Sequence, residues 1–406
     1  MFLFFLIAVS GKLFKPCVTD KQLSGTYRTL HAEHQFWLFE ARNNTQHAPL
    51  ILWINGVPNQ PPIFGTSAGM SPCRIENGTA THNVFAWNQN AHVVFFDMYR
   101  IAPGNKMFTG RYQILLDFVL SFSKKYPVYF KNGLHIFGQS SDAIAAAVVG
   151  NMLIKYDGQK TTKLLSVGLG SPIIDMRTQM KGYPRMMELA EKGTQATVAM
   201  EERIATLFAS TKNCTTCNKD LHCKERVVEL SEVAYQPYLT FFPSLINYKS
   251  TSYIDINQHI IDSQSYMLSS SQTLPSSFRR VDLLSNTLFV PSKDTIFDSY
   301  ASEISTLLRS NIHVLLFSGE LDYFSNFHGV RTLVDAMQWM DTPLNAVPNK
   351  ITLHPLHSYP ILVKRLNSKL TQAIVKQAGH LSQLDQPEYT QILVNDWISQ
   401  FSPHTN

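Results

Sequence analysis

The chain has 406 residues, of which 44% are apolar and only 16% are charged, so it can bury a large hydrophobic core. This composition excludes an intrinsically disordered protein and predicts one large domain, or one domain with an inserted subdomain. The 35 basic and 30 acidic residues give a formal charge of +5. They form no basic run and do not alternate with aromatic residues, so we expect no nucleic-acid partner.

The first 11 residues are predicted to be a signal peptide, because Met1 to Val9 is almost wholly apolar and Ser10-Gly11 forms a small-residue exit. A buried N-terminal strand is the alternative interpretation. The apolar stretch is too short to cross a bilayer, so we expect no membrane span. Three Asn-x-Thr sequons, at Asn43, Asn77 and Asn213, agree with the secretory route. We therefore expect a secreted protein, or one of the lysosome or vacuole.

The five cysteines cannot all pair within one chain, so one of them stays free or bonds elsewhere. They are Cys17, Cys73, Cys214, Cys217 and Cys223. The last three could suggest zinc, but a fourth ligand at a fitting spacing is missing, and the adjacent sequon argues for oxidising conditions. We favour a local disulfide in this cluster, expect no metal site, and leave the disulfide pairing open.

Short apolar runs alternate with helical patterns, which predicts a parallel sheet covered by helices on both faces. In chain order the predicted strands are 35–40, 49–55, 92–97, 134–137, 164–169, the run from residue 312, and 373–375. Helices are predicted at about 111–125, directly after residue 137, near 329–339, and from about residue 387. Catalytic groups are then expected at the carboxyl ends of the strands.

The apolar pattern weakens between about Thr178 and Asn286, and core-like strands return after it. We predict an α/β core formed by 22–178 and 289–406, with 179–288 inserted between the two parts as a helical lid. A second independent domain is the alternative. The return of core-like strands favours the lid.

A buried strand is joined to a helix through Gly138-x-Ser140, which is the layout of a nucleophile elbow. In such an elbow the serine lies on a strained strand-to-helix turn, and the first helical N–H groups face the reacting oxygen. An ordinary turn with an N-cap serine is the alternative for this motif alone, because Gly-x-Ser recurs by chance. Asp142 stands where the elbow normally has a small residue.

Ser140, Asp322 and His380 each follow a predicted buried strand, in the chain order of the triad of α/β-hydrolases. Taken singly, Asp322 could be a helix-capping carboxylate and His380 an ordinary loop histidine. Three fitting residue types at three strand ends together favour a catalytic triad.

Four segments carry a family resemblance. Leu-Trp-Ile-Asn-Gly-Val-Pro at 52–58 corresponds to a Leu-Trp-Leu-Asn-Gly-Gly-Pro motif, and Gly-Gln-Ser-Ser at 138–141 to Gly-Glu-Ser-Tyr. The segment 318–326 matches a Gly-Asp-x-Asp loop, and 378–387 matches an Ala-Gly-His-Met segment. These are motifs of the serine carboxypeptidases of the cathepsin A type, which the chain resembles from about Tyr27 to Phe401.

The resemblance implies an α/β-hydrolase fold and the roles of the triad. Ser140 would be the nucleophile, His380 the general base and acid, and Asp322 the residue that orients the histidine. The backbone N–H groups of Val57 and Ser141 would form the oxyanion hole.

The resemblance also implies the substrate. Asn55, Gly56 and Gln139 stand where the family binds the terminal carboxylate of a peptide. We therefore expect a serine-type carboxypeptidase that acts on peptide or protein C-termini without a cofactor, and we leave a homodimer open.

Several positions depart from the family pattern. Val57 replaces a glycine of the oxyanion loop, the segment 59–62 replaces Gly-Cys-Ser-Ser, and 97–104 has lost most of a Pro-x-Gly-x-Gly loop. A β-branched residue does not easily adopt a positive φ. An inactive binding protein that keeps the fold therefore stays open as an alternative. An acyltransferase that uses the same Ser140 acyl-enzyme is a second alternative, because nothing in the sequence excludes it.

Overall fold

The structure is a computed structural model of the chain. It describes residues 6–8, 20–29, 33–55, 69–76, 79–96, 110–157, 160–189, 198–199, 202–203, 205–206, 299–339, 342–343, 350–353, 361–365 and 369–401. Most of the predicted lid, 179–288, and both Gly56 and Val57 lie outside the described residues.

The main sheet has 11 strands in the order β1-β2-β3-β7-β4-β8-β9-β10-β15-β14-β13. The strands of the described residues are β1 (Leu6–Ala8), β2 (Gln22–Arg28), β3 (Glu33–Phe39), β4 (Leu50–Ile54), β5 (Cys73–Glu76), β6 (Thr79–His82), β7 (His92–Phe96), β8 (Leu134–Gln139), β9 (Leu164–Gly170), β10 (His313–Gly319), β11 (Gln338–Trp339), β12 (Thr342–Pro343), β13 (Lys350–Leu353), β14 (Ile361–Arg365) and β15 (Leu370–Val375). Two small antiparallel pairs, β5-β6 and β11-β12, lie outside the main sheet.

The centre of the main sheet is parallel. Strands β7, β4, β8, β9, β10 and β15 pair in parallel, and antiparallel strands flank them on both sides. Because parallel strands end at one edge, the residues that follow β4, β8, β10 and β15 share that edge. This arrangement confirms the predicted α/β-hydrolase architecture.

Helices cover the sheet. They are α1 (Arg111–Lys125), α2 (Ala143–Asp157), α3 (Met176–Gln179), α4 (Tyr183–Leu189), α5 (Ala301–Arg309), α6 (Phe327–Ala336), α7 (Ser382–Asp385) and α8 (Pro387–Ser399). Helix α1 has the predicted limits. Helix α6 begins earlier than predicted, because Asn326 Oδ1 accepts a hydrogen bond from Gly329 N at 2.7 Å as its N-cap. It also ends earlier, because the last predicted residues, Gln338 and Trp339, form β11.

Two apolar layers enclose the sheet, and successive residues of a strand contribute to opposite layers. Ile136 packs with α1, α2 and α5 on one face, whereas Phe137 packs with Trp397 of α8 on the other. Strand β8 is buried along its whole length. The predicted run of apolar residues at 134–137 is therefore a strand covered on both faces.

The N-terminal run and the cysteines are described only in part. β1 pairs antiparallel with β2, with Leu6 opposite Tyr27, at one edge of the sheet. The signal peptide over 1–11 stays a prediction, since this pairing does not address cleavage. Cys73 is disulfide-bonded, and its partner is a cysteine outside the described residues.

A histidine lies inside the sheet on the α8 side. The Nδ1 atom of His135 is 2.7 Å from Ser166 Oγ, which also accepts a hydrogen bond from Trp397 Nε1 at 2.8 Å. His135 is completely buried, and burial lowers its pKa from 6.5 to about 3. The folded protein therefore resists protonation of this ring over a wide acid range.

We predict that His135 makes the fold less stable in acid. Its pKa is lower in the folded chain than in the unfolded chain, so the stability it contributes is present above about pH 6.5 and is lost as the pH falls toward 3. Between pH 8 and pH 5 the loss should be about 2 kcal/mol, since one pKa unit corresponds to about 1.36 kcal/mol.

The test is urea unfolding at both pH values for the parent protein and His135→Gln. The variant should lose about 2 kcal/mol less than the parent on acidification. His47→Gln, at an exposed site, is the matched control and should follow the parent. An identical pH dependence in the parent and His135→Gln would contradict the burial argument.

Candidate active site

The turn after the central strand β8 has the geometry of the predicted elbow. Ser140 follows the last residue of the strand and has a φ of +58°, which is rare for a residue other than glycine. A Cβ atom on Gly138 would lie 2.7 Å from Asp142 O and 2.8 Å from the Ala143 Cα atom. Glycine is therefore needed here for α2 to pack back onto the strand, and an N-cap serine, which would have extended φ and ψ, does not fit.

The structure brings Asp322 and His380 together. Asp322 lies in the loop after β10, His380 lies in the loop after β15, and the His380 Nδ1 and Asp322 Oδ2 atoms are 3.0 Å apart. Both side chains are buried. Asp322 Oδ1 also accepts a hydrogen bond from Ser325 N at 3.0 Å. A carboxylate that accepts from Nδ1–H leaves the lone pair of the imidazole on Nε2, the tautomer that a general base needs.

Close backbone contacts hold these two loops against each other. Leu321 N donates a hydrogen bond to Ala378 O at 2.7 Å. A Cβ atom on Gly319 would collide with the carbonyl oxygens of Ala378 and Gly379. The absence of a side chain at Gly319 therefore lets the segment before His380 approach the loop of Asp322.

A side chain next to the nucleophile also holds the histidine loop. Gln139 Nε2 donates a hydrogen bond to His380 O at 2.6 Å. Gln139 lies opposite Gly170 of β9, where a Cβ atom would approach the Gln139 carboxamide to 2.6 Å. Because Gly170 has no side chain, the Gln139 carboxamide has room to form its hydrogen bond with His380 O.

The structure shows a hydrogen bond from His380 to Asp322 but none from His380 to Ser140 among the described residues. The His380 Nε2 atom is buried, and within the described part of the chain it has no hydrogen-bond partner. Ser140 Oγ is therefore not hydrogen-bonded to it in this structure. Catalytic hydrogen bonds are often long without substrate and tighten in the substrate complex.

The other predicted site residues are described in part. Asn55 directly follows β4, and its Oδ1 atom accepts a hydrogen bond from Trp53 Nε1 at 2.8 Å. This contact identifies Nδ2 as the donor end of the carboxamide. Ser141 lies in the single 3₁₀ turn 140–142 that leads into α2, so its backbone N–H is at a helix N-terminus. Gly56 and Val57 lie outside the described residues.

Two neighbours of the site were not predicted from the sequence. The Phe324 ring packs edge-on against the His380 ring, with centroids 5.6 Å apart and an interplanar angle of 85°. Arg111 Nη1 lies 3.3 Å from Asp142 Oδ1, two residues beyond Ser140. No sequence motif marks either contact, because each joins residues of separate elements.

Comparisons with known proteins identify the family of the chain. The family model described as serine carboxypeptidase matches residues 14–400. Carboxypeptidase Y of Komagataella phaffii is 24% identical over 424 aligned residues, covering 95% of this chain and 77% of that protein. A vacuolar serine-type carboxypeptidase of Saccharomyces cerevisiae is 24% identical, covering 94% of this chain and 80% of that protein.

A solved structure shares the fold. The crystal structure of a prohormone-processing carboxypeptidase from Saccharomyces cerevisiae superposes with a TM-score of 0.71 and 17% identity, covering 94% of this chain and 92% of that one. Since the family model spans nearly the whole chain, the family does not depend on this distant likeness. The chain belongs to the serine carboxypeptidase family, whose members are serine-type hydrolases.

Proposed function

We propose that the chain removes C-terminal residues from peptides through Ser140, His380 and Asp322. The observation that carries the proposal is the buried His380–Asp322 pair at the strand edge where Ser140 occupies a positive-φ turn. Family membership supports the same reaction class.

In the first half of the reaction His380 Nε2 accepts the proton of Ser140 as Oγ attacks the last peptide carbonyl. The carbonyl π electrons move to the oxygen, and the N–H groups of Ser141 and Val57 stabilise the oxyanion, at roughly 3 kcal/mol for each donor. The tetrahedral intermediate then expels the C-terminal amino acid, whose amine takes the proton from His380. The serine ester of the shortened peptide remains.

In the second half His380 accepts a proton from water as the water oxygen attacks the ester carbonyl. The second tetrahedral intermediate collapses with loss of Ser140 Oγ, which regains its proton from His380. Asp322 stabilises the imidazolium in both halves, and its buried hydrogen bond fixes the ring.

Recognition of the substrate's carboxylate would depend on neutral donors. Gln139 and Asn55 are buried at the ends of adjacent strands β8 and β4. Both offer carboxamide N–H groups, which stay donors at every pH because they do not titrate. We infer that they and Gly56 bind the terminal carboxylate.

We also infer passage through the secretory route, to the outside or to a lysosome or vacuole. Cys73 is disulfide-bonded, which is typical of oxidising compartments. Asn43 of the first sequon is exposed, and one relative is named as vacuolar. Among the described helices, none has the length and apolar character that a membrane crossing needs.

Replacing Ser140 tests the proposal directly. Ser140→Ala should lower the turnover of a blocked dipeptide by at least about 10⁴-fold, because the variant has no nucleophile. Ser141→Ala should keep most of the turnover, because alanine retains the backbone N–H. Circular dichroism checks that both variants fold. Loss of turnover in a folded Ser141→Ala, with turnover kept in Ser140→Ala, would show that the nucleophile is misassigned.

A separate measurement on the parent protein distinguishes hydrolysis from acyl transfer. Products formed with an added alcohol would reveal acyl transfer.

A methyl group at Gly319 should disturb the histidine loop. Gly319→Ala should lower the free energy of unfolding by about 1–3 kcal/mol, the usual cost of overpacking, and should reduce kcat as His380 shifts. Gly110→Ala is the matched control, because no atom of the described residues, its two chain neighbours aside, lies within 4 Å of the added Cβ. Thermal melting and dipeptide turnover measure both effects. Wild-type behaviour of Gly319→Ala would refute the close approach of the two loops.

Gln139 should make substrate binding independent of pH. We expect KM to stay flat between about pH 5 and pH 7, because a carboxamide does not titrate in this range whereas a glutamate with a moderately raised pKa would. In Gln139→Glu the carboxyl group can donate to His380 O or to a substrate carboxylate only while it is protonated, so KM should rise toward neutral pH.

The measurement is the pH profile of KM and kcat/KM with a blocked dipeptide for both forms. Gln400→Glu places the same charge at an exposed site and should behave as the parent protein does. A steep rise in KM toward pH 7 in the parent would contradict recognition by a neutral amide.

A further inference from the structure

A buried ion pair involves Asp142, two residues after Ser140. Asp142 is in the turn that begins at Ser140, and Arg111 is the first residue of α1. Their Oδ1 and Nη1 atoms are 3.3 Å apart, and the side chains are 0% and 8% exposed, respectively. Burying two charges is costly unless each satisfies the other, so this pair requires a physical reason.

The location of Asp142 opposes the proposed chemistry. Asp142 is adjacent in the chain to Ser141, whose N–H we assign to the oxyanion hole, and both belong to one turn at the start of α2. The helix N-terminus favours a developing anion through its unpaired N–H groups. A buried carboxylate in the same turn would repel that anion, since like charges interact strongly where water is excluded.

The location of Arg111 is explained by Asp142 and not by its own helix. A cation in the first turn of a helix is unfavourable, because the helix dipole is positive there. The guanidinium is fixed on a second side by Tyr112, whose hydroxyl accepts a hydrogen bond from Arg111 Nη2 at 2.5 Å. The guanidinium carbon also lies 4.6 Å from the centre of the Tyr112 ring. The arginine is thus held in place to meet the carboxylate.

We propose that Arg111 is a positioning residue of the Ser140 site, which neutralises Asp142 in the turn that leads from Ser140 into α2. The inference rests on the proposed function. It assigns a role to a residue on a different helix from the nucleophile, and it explains how this chain tolerates an aspartate two residues after Ser140.

The test is the second-order rate of labelling by a fluorophosphonate, which reports serine reactivity without a peptide substrate. Arg111→Met should label roughly tenfold more slowly than the parent protein or worse, because the variant lacks the arginine charge that opposes the Asp142 carboxylate. Asp142→Ala should not label more slowly, since it removes the repelling charge. The double variant should return to within about threefold of the parent.

This pattern separates an electrostatic role from a merely structural one. If the pair only held the turn, both single variants would slow labelling together, or would lower the melting temperature without a change in rate. Arg111→Lys, which keeps the charge, should restore most of the rate lost in Arg111→Met. A folded Arg111→Met that labels at the parent's rate, or a double variant as slow as Arg111→Met, would overturn the proposal.

Breaking a buried pair can also prevent folding. If Arg111→Met does not fold, the double variant decides, and slow labelling of a folded double variant counts against the proposal.

Arg42→Met is the matched control. It breaks the Arg42–Asp20 pair (2.6 Å), which lies near the amino ends of the parallel strands, whereas Ser140 lies at their carboxyl ends. It should label at the parent's rate. A parent protein that does not label at all refutes the proposed function, whereas uniform labelling of all variants refutes only this inference.

Discussion

The backbone of Ser140 adopts a φ of +58° between the central strand β8 and helix α2, and the geometry of the site depends on this turn. Such a conformation costs a residue other than glycine on the order of 1 kcal/mol or more, so the surroundings must enforce it. They do so because β8 is buried on both faces, and because Gly138 lets α2 pack at a distance that any side chain would prevent. The result is a serine at the carboxyl edge of the sheet, next to a helix N-terminus.

The other parts of the site are positioned relative to this turn by contacts between loops. Gln139 holds the backbone of His380, Gly319 lets the loops of Asp322 and His380 touch, and Phe324 packs against the imidazole. These contacts involve small or neutral groups, so they fix geometry without adding charge near Ser140. The Arg111–Asp142 pair is charged, but it lies buried with its two charges opposed. The described site therefore favours an anion at the helix N-terminus.

Periodicity predicted the parallel strands and helix α1, because burial on both faces leaves a local apolar signature. The order of residue types at the strand ends identified Ser140, Asp322 and His380 as a candidate triad. Element boundaries were less predictable: α6 ends at Ala336, shortly before strand β11, and β15 begins at Leu370 rather than at Ala373. The contacts of Arg111 with Asp142 and of Gln139 with His380 O could not be predicted. They join residues 31 and 241 positions apart, and only the packed sheet brings them together.

We propose Ser140 as the reactive serine of a functional triad. Peptide mapping by mass spectrometry after reaction with a fluorophosphonate tests it most directly, because trypsin releases both candidate serines in the single peptide 132–155. We expect one adduct, located by fragmentation at Ser140 and absent when the protein is unfolded before labelling. An adduct at Ser141 or in another peptide, or no adduct on the folded protein, would contradict it.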